Sequence, residues 1–376
     1  MTKPVILTGL RANNDLTLGN YFGGMLPIID MANKHSAEYQ INMFIPDLHS
    51  FTTPIDHSEL YQQILNNARL FAAAGLPLDN PDIHLYRQSY VSAHSELTWI
   101  LDCFTGFGEM GRMTQFKDKR NQIAYGTMVT GEIVGDHSSE GVMKQVFENF
   151  DTKVNHQISV GLFNYPVLMA SDILLYGAKY VPVGDDQSQH LEFTRDIAER
   201  INKRFGEVFT IPEAVAKQHE FFGKDQGLRI MDLADPTKKM SKSDENDKGV
   251  IFLGDDPELA AKKVMSATTD DKAEIHFDKQ NQPGISNLLE ILALLRGSGI
   301  QEVTAEFEGQ TRYGDFKQVV ASEVKQFLID FQAKLASVDD TEIATKLEQS
   351  EVHMNEQANA TLLRVQQAIG LRSKEI

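Results

Sequence analysis

The stretch PVILTG, from Pro4 to Gly9, is a short apolar run that ends at a glycine, and it predicts a buried β-strand. Similar runs follow at Ile41–Ile45 and Ile83–Tyr86, and YVPVG, from Tyr180 to Gly184, repeats the pattern of an apolar run and a glycine. Helix-like stretches separate these runs. Strands that alternate with helices build parallel, doubly wound sheets. The sequence therefore predicts an α/β fold on such a sheet.

The helices between the strands have recognisable ends. One helix is expected to begin near Leu18-Gly19-Asn20, with Pro27 kinking or restarting it. Another is expected to begin at a Ser58 cap and to end before Gly75.

Polar residues stand at the carboxyl ends of three predicted strands, at Thr8 to Arg11, Pro46 to His49 and Gly184 to Gln187. Ligands of open α/β sheets bind at these ends. We therefore expect the ligand site at this edge of the sheet.

The strand pattern fades after Val250, and apolar residues then recur at helical spacing. This spacing predicts a C-terminal, all-helical domain. Its repeating positions are Val320, Val324, Phe327, Phe331 and Leu335, followed by Ile343, Leu347, Leu362, Val365 and Ile369.

The composition limits the class of protein. The 376 residues suffice for two domains, and 41% hydrophobic with 24% charged residues is typical of a globular chain. No apolar run reaches membrane length and no secretion signal is recognisable, so we expect a cytoplasmic protein without a membrane partner. The only cysteine, Cys103, makes a cysteine-based metal site very improbable, and no protein-bound metal is expected. The net charge of −17 disfavours non-specific nucleic-acid binding but leaves room for a local basic patch.

The stretch DPTKKMSKSDEN, from Asp235 to Asn246, contains three lysines and almost nothing to bury. A solvated surface loop is the simpler interpretation. The alternative is a phosphate-handling loop, because lysine is a point charge on a long stem that can follow a moving phosphate.

The wider sequence resembles the class I aminoacyl-tRNA synthetases, and within them the tryptophanyl-tRNA synthetase family. Lys239 to Ser243 is the Lys-Met-Ser-Lys-Ser signature of that class. Thr17-Leu18-Gly19-Asn20 stands where the class has a His-Ile-Gly-His type motif. The other similar stretches are GRMTQFKDK (111–119), NYPVLMASDILLY (164–176), VPVGDDQSQHLEFTRDIAERIN (181–202), RIMDLADPTKKMSKSD (229–244) and PGISNLLEIL (283–292).

The resemblance implies a Rossmann-like catalytic domain over residues 1–235, the signature loop at 236–250 and a helical, anticodon-binding domain at 251–376. It implies that ATP, with Mg²⁺, activates L-tryptophan to tryptophanyl-adenylate and pyrophosphate, and that tRNA(Trp) then accepts the tryptophan at its 3′ end. It also implies a homodimer, with an interface near His94, Trp99 and Phe104.

The amino-acid pocket is implied to include the helix that carries Tyr165, Met169 and Asp172. Their spacing of four and three puts them on one helix face, which on its own would equally suit core and cap residues. Within the resemblance, Asp172 accepts the indole N–H, Met169 packs on the ring, and Tyr165 with Gln187 holds the ammonium. Leu7 and His49 complete the implied tryptophan-binding set, although a histidine at a strand end is as often structural.

The choice of tryptophan over tyrosine depends on Met169, where tyrosine enzymes have a glutamine. A thioether suits an apolar ring but leaves a buried phenol hydroxyl without a partner. A site built around a hydrogen bond rejects an analogue lacking it by roughly 10⁴-fold, so no editing domain is needed.

The resemblance assigns catalysis to Lys239, Lys242 and Lys119, which would face the phosphates. The ATP-binding set that it implies is Arg11, Gly19, Asn20, Gly184, Asp186, Lys239, Met240, Ser241, Lys242 and Ser243.

Two departures from the family stand out. A turn containing Ala12-Asn13-Asn14-Asp15 replaces the family's Pro-Ser-Gly turn, and Arg11 is conjectured to supply the charge that backbone groups supply elsewhere. A long insertion at about 120–160 is interpreted as a lid or interface, or as a solvated elaboration.

Two rival functions remain open at this point. A tyrosine-specific enzyme is disfavoured by Met169. A non-catalytic paralogue that binds amino acid or tRNA as a regulator is disfavoured by the intact Lys239 to Ser243 loop and by Asp172.

Overall fold

A computed structural model describes residues 3–9, 16–50, 52, 55–114, 116–117, 159–182, 184, 187–222, 230–240 and 247–374. The insertion expected at about 120–160 lies outside the described residues, apart from its last two positions.

Within the described residues, the centre of the fold is a four-stranded parallel sheet with the order β3-β2-β1-β4. The strands are β1 (Val5–Gly9), β2 (Gln40–Ile45), β3 (Ile83–Arg87) and β4 (Ala178–Tyr180). Successive side chains of β1 enter opposite apolar clusters, with Ile6 in one and Val5 and Leu7 in the other. The sheet is therefore covered on both faces, as its near-continuous apolar strands predict.

The fourth strand is shorter and earlier than the sequence predicts. The pattern indicated Tyr180 to Gly184, whereas β4 ends at Tyr180 and pairs irregularly with β1. The N–H of Val181 donates to the Gln218 side chain at 3.0 Å and Pro182 has no N–H, so neither residue extends the pairing.

The helical segment after β1 begins at Leu18, as predicted. Helix α1 (Leu18–Asn20) continues through a π-helical turn (Tyr21–Met25) into α2 (Leu26–His35). Pro27 lies in the first turn of α2, where a missing N–H costs least, so the predicted restart near this proline is confirmed.

The remaining helices of the described ranges cover the sheet and form the C-terminal half. They are α3 (Asp47–Ser50), α4 (Leu60–Ala73), α5 (Ala93–Asp102), α6 (Phe107–Met110), α7 (Val160–Leu175), α8 (Ser188–Phe205), α9 (Val215–Phe222), α10 (Pro257–Met265), α11 (Pro283–Arg296), α12 (Ile300–Glu306), α13 (Tyr313–Ala336) and α14 (Asp340–Ile369). Short 3₁₀ turns lie at Gln88–Tyr90 and Asp247–Gly249.

The predicted cap of α4 is wrong. Its cap is Glu59, which makes no side-chain capping bond. The Ser58 hydroxyl instead donates to Asp56 at 2.6 Å, because a nearby carboxylate competes successfully for it. Gly75 follows the end of the helix, as predicted.

The two longest C-terminal helices carry the predicted apolar positions, which confirms that spacing. Helix α14 lies along the edge strand β3: Ser350 accepts the Leu85 N–H at 3.2 Å, and Glu351 forms a buried, two-pronged ion pair with Arg87. The helix thereby covers an edge that would otherwise expose unpaired backbone groups. None of the helices described is both long and apolar enough to cross a membrane.

Candidate active site at the carboxyl ends of the strands

A cleft of about 360 Å³ opens at the carboxyl end of β1. Helix α7 forms one wall, and the segment after β4 forms another. The lining residues are Leu7, Thr8, Gly9, Phe44, Pro46, His49, Thr52, Tyr165, Met169, Asp172, Ile173, Val181, Pro182, Gly184 and Gln187. All six residues expected to bind tryptophan are among them, together with Gly184 from the ATP-binding set.

Helix α7 is apolar on almost every side, so it is buried and can aim side chains into the cleft from a rigid support. Ser159 caps it by accepting the Leu162 N–H at 3.0 Å. Tyr165, Met169 and Asp172 all face the cleft, and the spacing of four and three explains why.

The polar end of the cleft is the fully buried carboxylate of Asp172. His49 meets Oδ2 through Nε2 at 2.9 Å. Gln88 donates to Oδ1 at 2.7 Å, and His94 meets the same oxygen through Nδ1 at 2.6 Å. Burial alone would raise the pKa of Asp172, but the hydrogen bonds and charges of the two histidines lower it to about 2. The carboxylate is therefore ionised and acts only as an acceptor.

The cleft also contains Tyr165 and Gln187. The hydroxyl of Tyr165 lies 2.8 Å from Nε2 of His190, a fully buried residue of α8. Gln187 stands at the cap position of α8, and its N–H donates to the Gly184 carbonyl at 2.9 Å. These contacts position the Tyr165 hydroxyl and the backbone of Gln187 beside an apolar wall that includes Met169 and Val181.

The two signature motifs contact each other outside this cleft. A Cβ atom at Gly19 would lie 3.5 Å from Cβ of Ile230 and 3.6 Å from Cβ of Met240, which is ordinary van der Waals contact, so this motif lies directly beside the start of the signature loop. The Asn20 side chain accepts from the Thr17 hydroxyl at 3.0 Å in a capping box. The side-chain oxygen of Asn20 is therefore already hydrogen-bonded at the start of the helix. A phosphate could accept hydrogen bonds only from the side-chain NH₂ group of Asn20 or from backbone N–H groups.

The expectation that the lysine-rich stretch has almost nothing to bury is wrong at Met240. Its side chain is 1% exposed in the main apolar cluster, and its N–H donates to the Ile230 carbonyl at 3.0 Å. Lys239 pairs through its backbone with Met231 in an isolated antiparallel bridge while its side chain stays exposed. The start of the signature loop is therefore fastened to the fold.

A buried carboxylate joins the two stems of the signature loop. Asp232 Oδ1 accepts the N–H groups of Ala234 and Asp235 at 2.7 and 2.9 Å. Its side chain also packs directly on Gly249, beyond the other end of the loop. The loop's stems are thereby held side by side.

Six of the expected site residues lie outside the described residues. They are Arg11, Lys119, Asp186, Ser241, Lys242 and Ser243. Their assignments stay predictions, as do those of the residues in the cleft.

Sequence reasoning missed Gln88, His190 and the contact of His94 with Asp172. The segment that contains His94, Trp99 and Phe104 was expected near a subunit interface, and this stays a prediction. Within this chain, His94 is fully buried against Asp172, whereas Trp99 is 71% exposed. Gln88 directly follows β3, so the rule that strand ends carry ligand sites would have found it. No short pattern marks His94 or His190, because their partners are distant along the chain.

No group of three or more histidine, cysteine, aspartate or glutamate side chains is arranged to hold a metal ion within the described ranges. The chemistry available in the cleft is an ionised acceptor at the end of an apolar slot.

Comparison with known proteins identifies the family of the chain. Residues 2–329 match the family described as tRNA synthetases class I (W and Y). A tryptophan–tRNA ligase of Bacillus subtilis is 38% identical over 373 residues, which is 99% of each chain. One from Caldanaerobacter subterraneus is 39% identical over 366 residues, 97% of this chain and 98% of that one.

Solved structures give the same result. The tryptophanyl-tRNA synthetase of Mycoplasma pneumoniae superimposes with a TM-score of 0.77 at 33% identity, covering 100% of both chains. That of Campylobacter jejuni, in complex with ADP and tryptophan, gives 0.71 at 29% identity over 97% of this chain and 99% of that one. These likenesses confirm the Rossmann-like, doubly wound fold with a C-terminal helical part. The chain therefore belongs to the class I aminoacyl-tRNA synthetases, in the tryptophanyl-tRNA synthetase family.

Proposed function

We propose that this chain is a tryptophan–tRNA ligase, which activates L-tryptophan with ATP and transfers it to the 3′ end of tRNA(Trp). Membership of the family supports both steps, and the Campylobacter jejuni relative was solved with ADP and tryptophan. The observation that carries the proposal is the convergence of Leu7, His49, Tyr165, Met169, Asp172 and Gln187 on one cleft that ends in an ionised carboxylate.

Tryptophan enters with its indole ring in the apolar slot. Asp172 Oδ2 accepts the indole N–H, and Met169 packs against the ring face. Tyr165 and Gln187 receive the ammonium group, which turns the tryptophan carboxylate towards ATP. A tyrosine phenol oxygen would meet Met169 where it needs a donor, so tyrosine loses a hydrogen bond that water had supplied.

ATP is bound, as its Mg²⁺ complex, beside the signature motifs. The tryptophan carboxylate attacks the α-phosphorus, the bond to the bridging oxygen breaks, and pyrophosphate leaves. The lysines stabilise the negative charge that accumulates on the leaving group, since positioning and electrostatics dominate this class of transfer. Lys239 and Lys242 belong to the signature loop, whose start is fastened through Met240, and Lys119 and Arg11 are proposed to contribute further charge.

The tRNA step needs surfaces beyond the cleft. We assign anticodon binding to the helical residues 251–376, and a homodimer in which the exposed Trp99 is covered by a second copy. The 2′-hydroxyl of the terminal adenosine attacks the tryptophanyl carbonyl and releases AMP. The proposal includes a cytoplasmic location, where tRNA charging takes place.

The lysine assignments are tested by single-turnover formation of tryptophanyl-adenylate. Lys239→Ala and Lys242→Ala are each expected to lower the rate roughly tenfold or more, because each removes one charge from the transition state. Lys238→Ala is the matched control, since Lys238 is the adjacent lysine and forms a surface ion pair with Asp235. Wild-type rates of adenylate formation in Lys239→Ala and Lys242→Ala, as in the control, would contradict the role of these lysines in the mechanism.

A further inference from the structure

Two of the three donors that surround Asp172 do not line the cleft. Gln88 and His94 are both fully buried, and both contact Oδ1, at 2.7 and 2.6 Å. His49, which does line the cleft, contacts Oδ2. The two oxygens of one carboxylate therefore have different surroundings.

The donor groups of Gln88 and His94 are themselves oriented by neighbours. The Gln88 side-chain oxygen accepts the Leu48 N–H at 3.2 Å, so its amide nitrogen must face Asp172. Nε2 of His94 lies 2.9 Å from the hydroxyl of Tyr176, the C-cap residue of α7. Burial raises the pKa of Tyr176, so its hydroxyl keeps the proton and can donate it to Nε2. Because an ionised carboxylate only accepts hydrogen bonds, Nδ1 of His94 carries a proton that faces Oδ1.

The hydrogen bonds that Asp172 already accepts determine how many more its two oxygens can accept. An ionised carboxylate oxygen accepts about two hydrogen bonds. Gln88 and His94 occupy both positions of Oδ1, whereas among the described residues Oδ2 receives only His49. One acceptor position on Oδ2 is thus left on the side of the cleft.

We propose that Gln88 and His94 are positioning residues for tryptophan recognition, which fix the Asp172 carboxylate so that Oδ2 presents one acceptor to the indole N–H. This inference rests on the proposed function. Neither residue touches the substrate. Without them, the carboxylate turns to satisfy Oδ1 elsewhere, and the N–H loses a partner of fixed direction.

The test compares tryptophan with its benzothiophene analogue, in which sulfur replaces the indole N–H at nearly constant shape. The wild-type enzyme is expected to prefer tryptophan in kcat/KM for adenylate formation. Gln88→Met and His94→Leu remove one donor each, and each is expected to lower this preference roughly 10- to 100-fold, the range for a hydrogen bond to a charged group. The KM for ATP should not change.

Conservative and remote variants separate positioning from general damage. His94→Asn keeps an N–H near the place of Nδ1 and should recover most of the preference. Ser350→Ala removes another buried hydrogen bond, to strand β3, and should lower stability without changing the preference.

An unchanged preference in Gln88→Met would overturn the inference even if His94→Leu does not fold. Loss of activity towards both amino acids in equal proportion, with the ratio preserved, would also overturn it, because that is the mark of a structural role. A wild-type enzyme that activates neither amino acid would instead overturn the proposed function, and the inference with it.

Discussion

The contact between Asp232 and Gly249 gives a prediction about the signature loop that can be worked out from geometry. A methyl group at Gly249 would overlap the Asp232 carboxylate, whose Oδ1 holds the N–H groups of Ala234 and Asp235. Gly249→Ala must therefore displace that side chain or the backbone. Loss of both bonds, offset by new ones to water, is expected to lower the free energy of unfolding by about 2–4 kcal/mol.

Urea denaturation of a double-mutant cycle checks this reasoning. Asp232→Ala removes the obstacle, so adding Gly249→Ala to it should cost less than about 1 kcal/mol. The rate of pyrophosphate exchange should likewise fall more when Gly249→Ala is made in the wild-type protein than when it is added to Asp232→Ala, because the displaced stem carries Lys239. The reasoning is refuted if Gly249→Ala costs the same in both backgrounds, since the penalty would then not come from the carboxylate.

Three further predictions concern other parts of the molecule. Burial, and after it the charge of the neighbouring His353, lowers the pKa of His84 to about 4. As the pH falls, the unfolded state therefore binds this proton before the folded state does, and the free energy of unfolding should fall by up to about 3 kcal/mol from pH 6.5 to pH 4. In thermal unfolding experiments, His84→Phe should lack this dependence on pH. Glu351→Ala leaves the buried Arg87 without its ion-pair partner and should lower the free energy of unfolding, measured by urea denaturation, by about 3–5 kcal/mol. Asp340→Ala breaks an exposed pair with Arg69 and should lower it by less than about 1 kcal/mol. Similar losses in the two variants would contradict the argument from burial. Met169→Gln offers a phenol a partner and should narrow the preference for tryptophan over tyrosine in pyrophosphate exchange, and an unchanged ratio would show that selectivity lies elsewhere.

The sheet could be predicted from the sequence because its signals are local. β1, β2 and β3 are near-continuous apolar runs, and the rule for parallel sheets then indicates which ends bind ligands. The boundary of β4 was wrong because burial continues through Val181 after strand pairing has stopped.

The side of the cleft that α7 forms could also be predicted from the sequence. Tyr165, Met169 and Asp172 lie on one helix, where their relative directions follow from spacing. Gln88 and His94 reach Asp172 across 84 and 78 residues, and hydrogen bonds between distant elements leave no period in a sequence. The burial of Met240 was missed for a related reason, because a single apolar residue among charged residues forms no periodic pattern.

The polar surroundings of Asp172 explain how a buried charge is tolerated at the end of an apolar slot. An isolated buried carboxylate would be protonated, and a protonated acid could donate a hydrogen bond as well as accept one. Donors on both oxygens keep it ionised. The site thus presents only an acceptor, which fits an indole N–H.

The central claim is that this chain activates tryptophan, and exchange of labelled pyrophosphate into ATP tests it most directly. Purified protein with Mg²⁺ would be assayed with tryptophan, with tyrosine and without amino acid. We expect exchange with tryptophan alone. Exchange with tyrosine at a comparable rate would contradict the assignment of Met169 and Asp172, and exchange with neither would contradict activation and favour a regulator that binds without reacting.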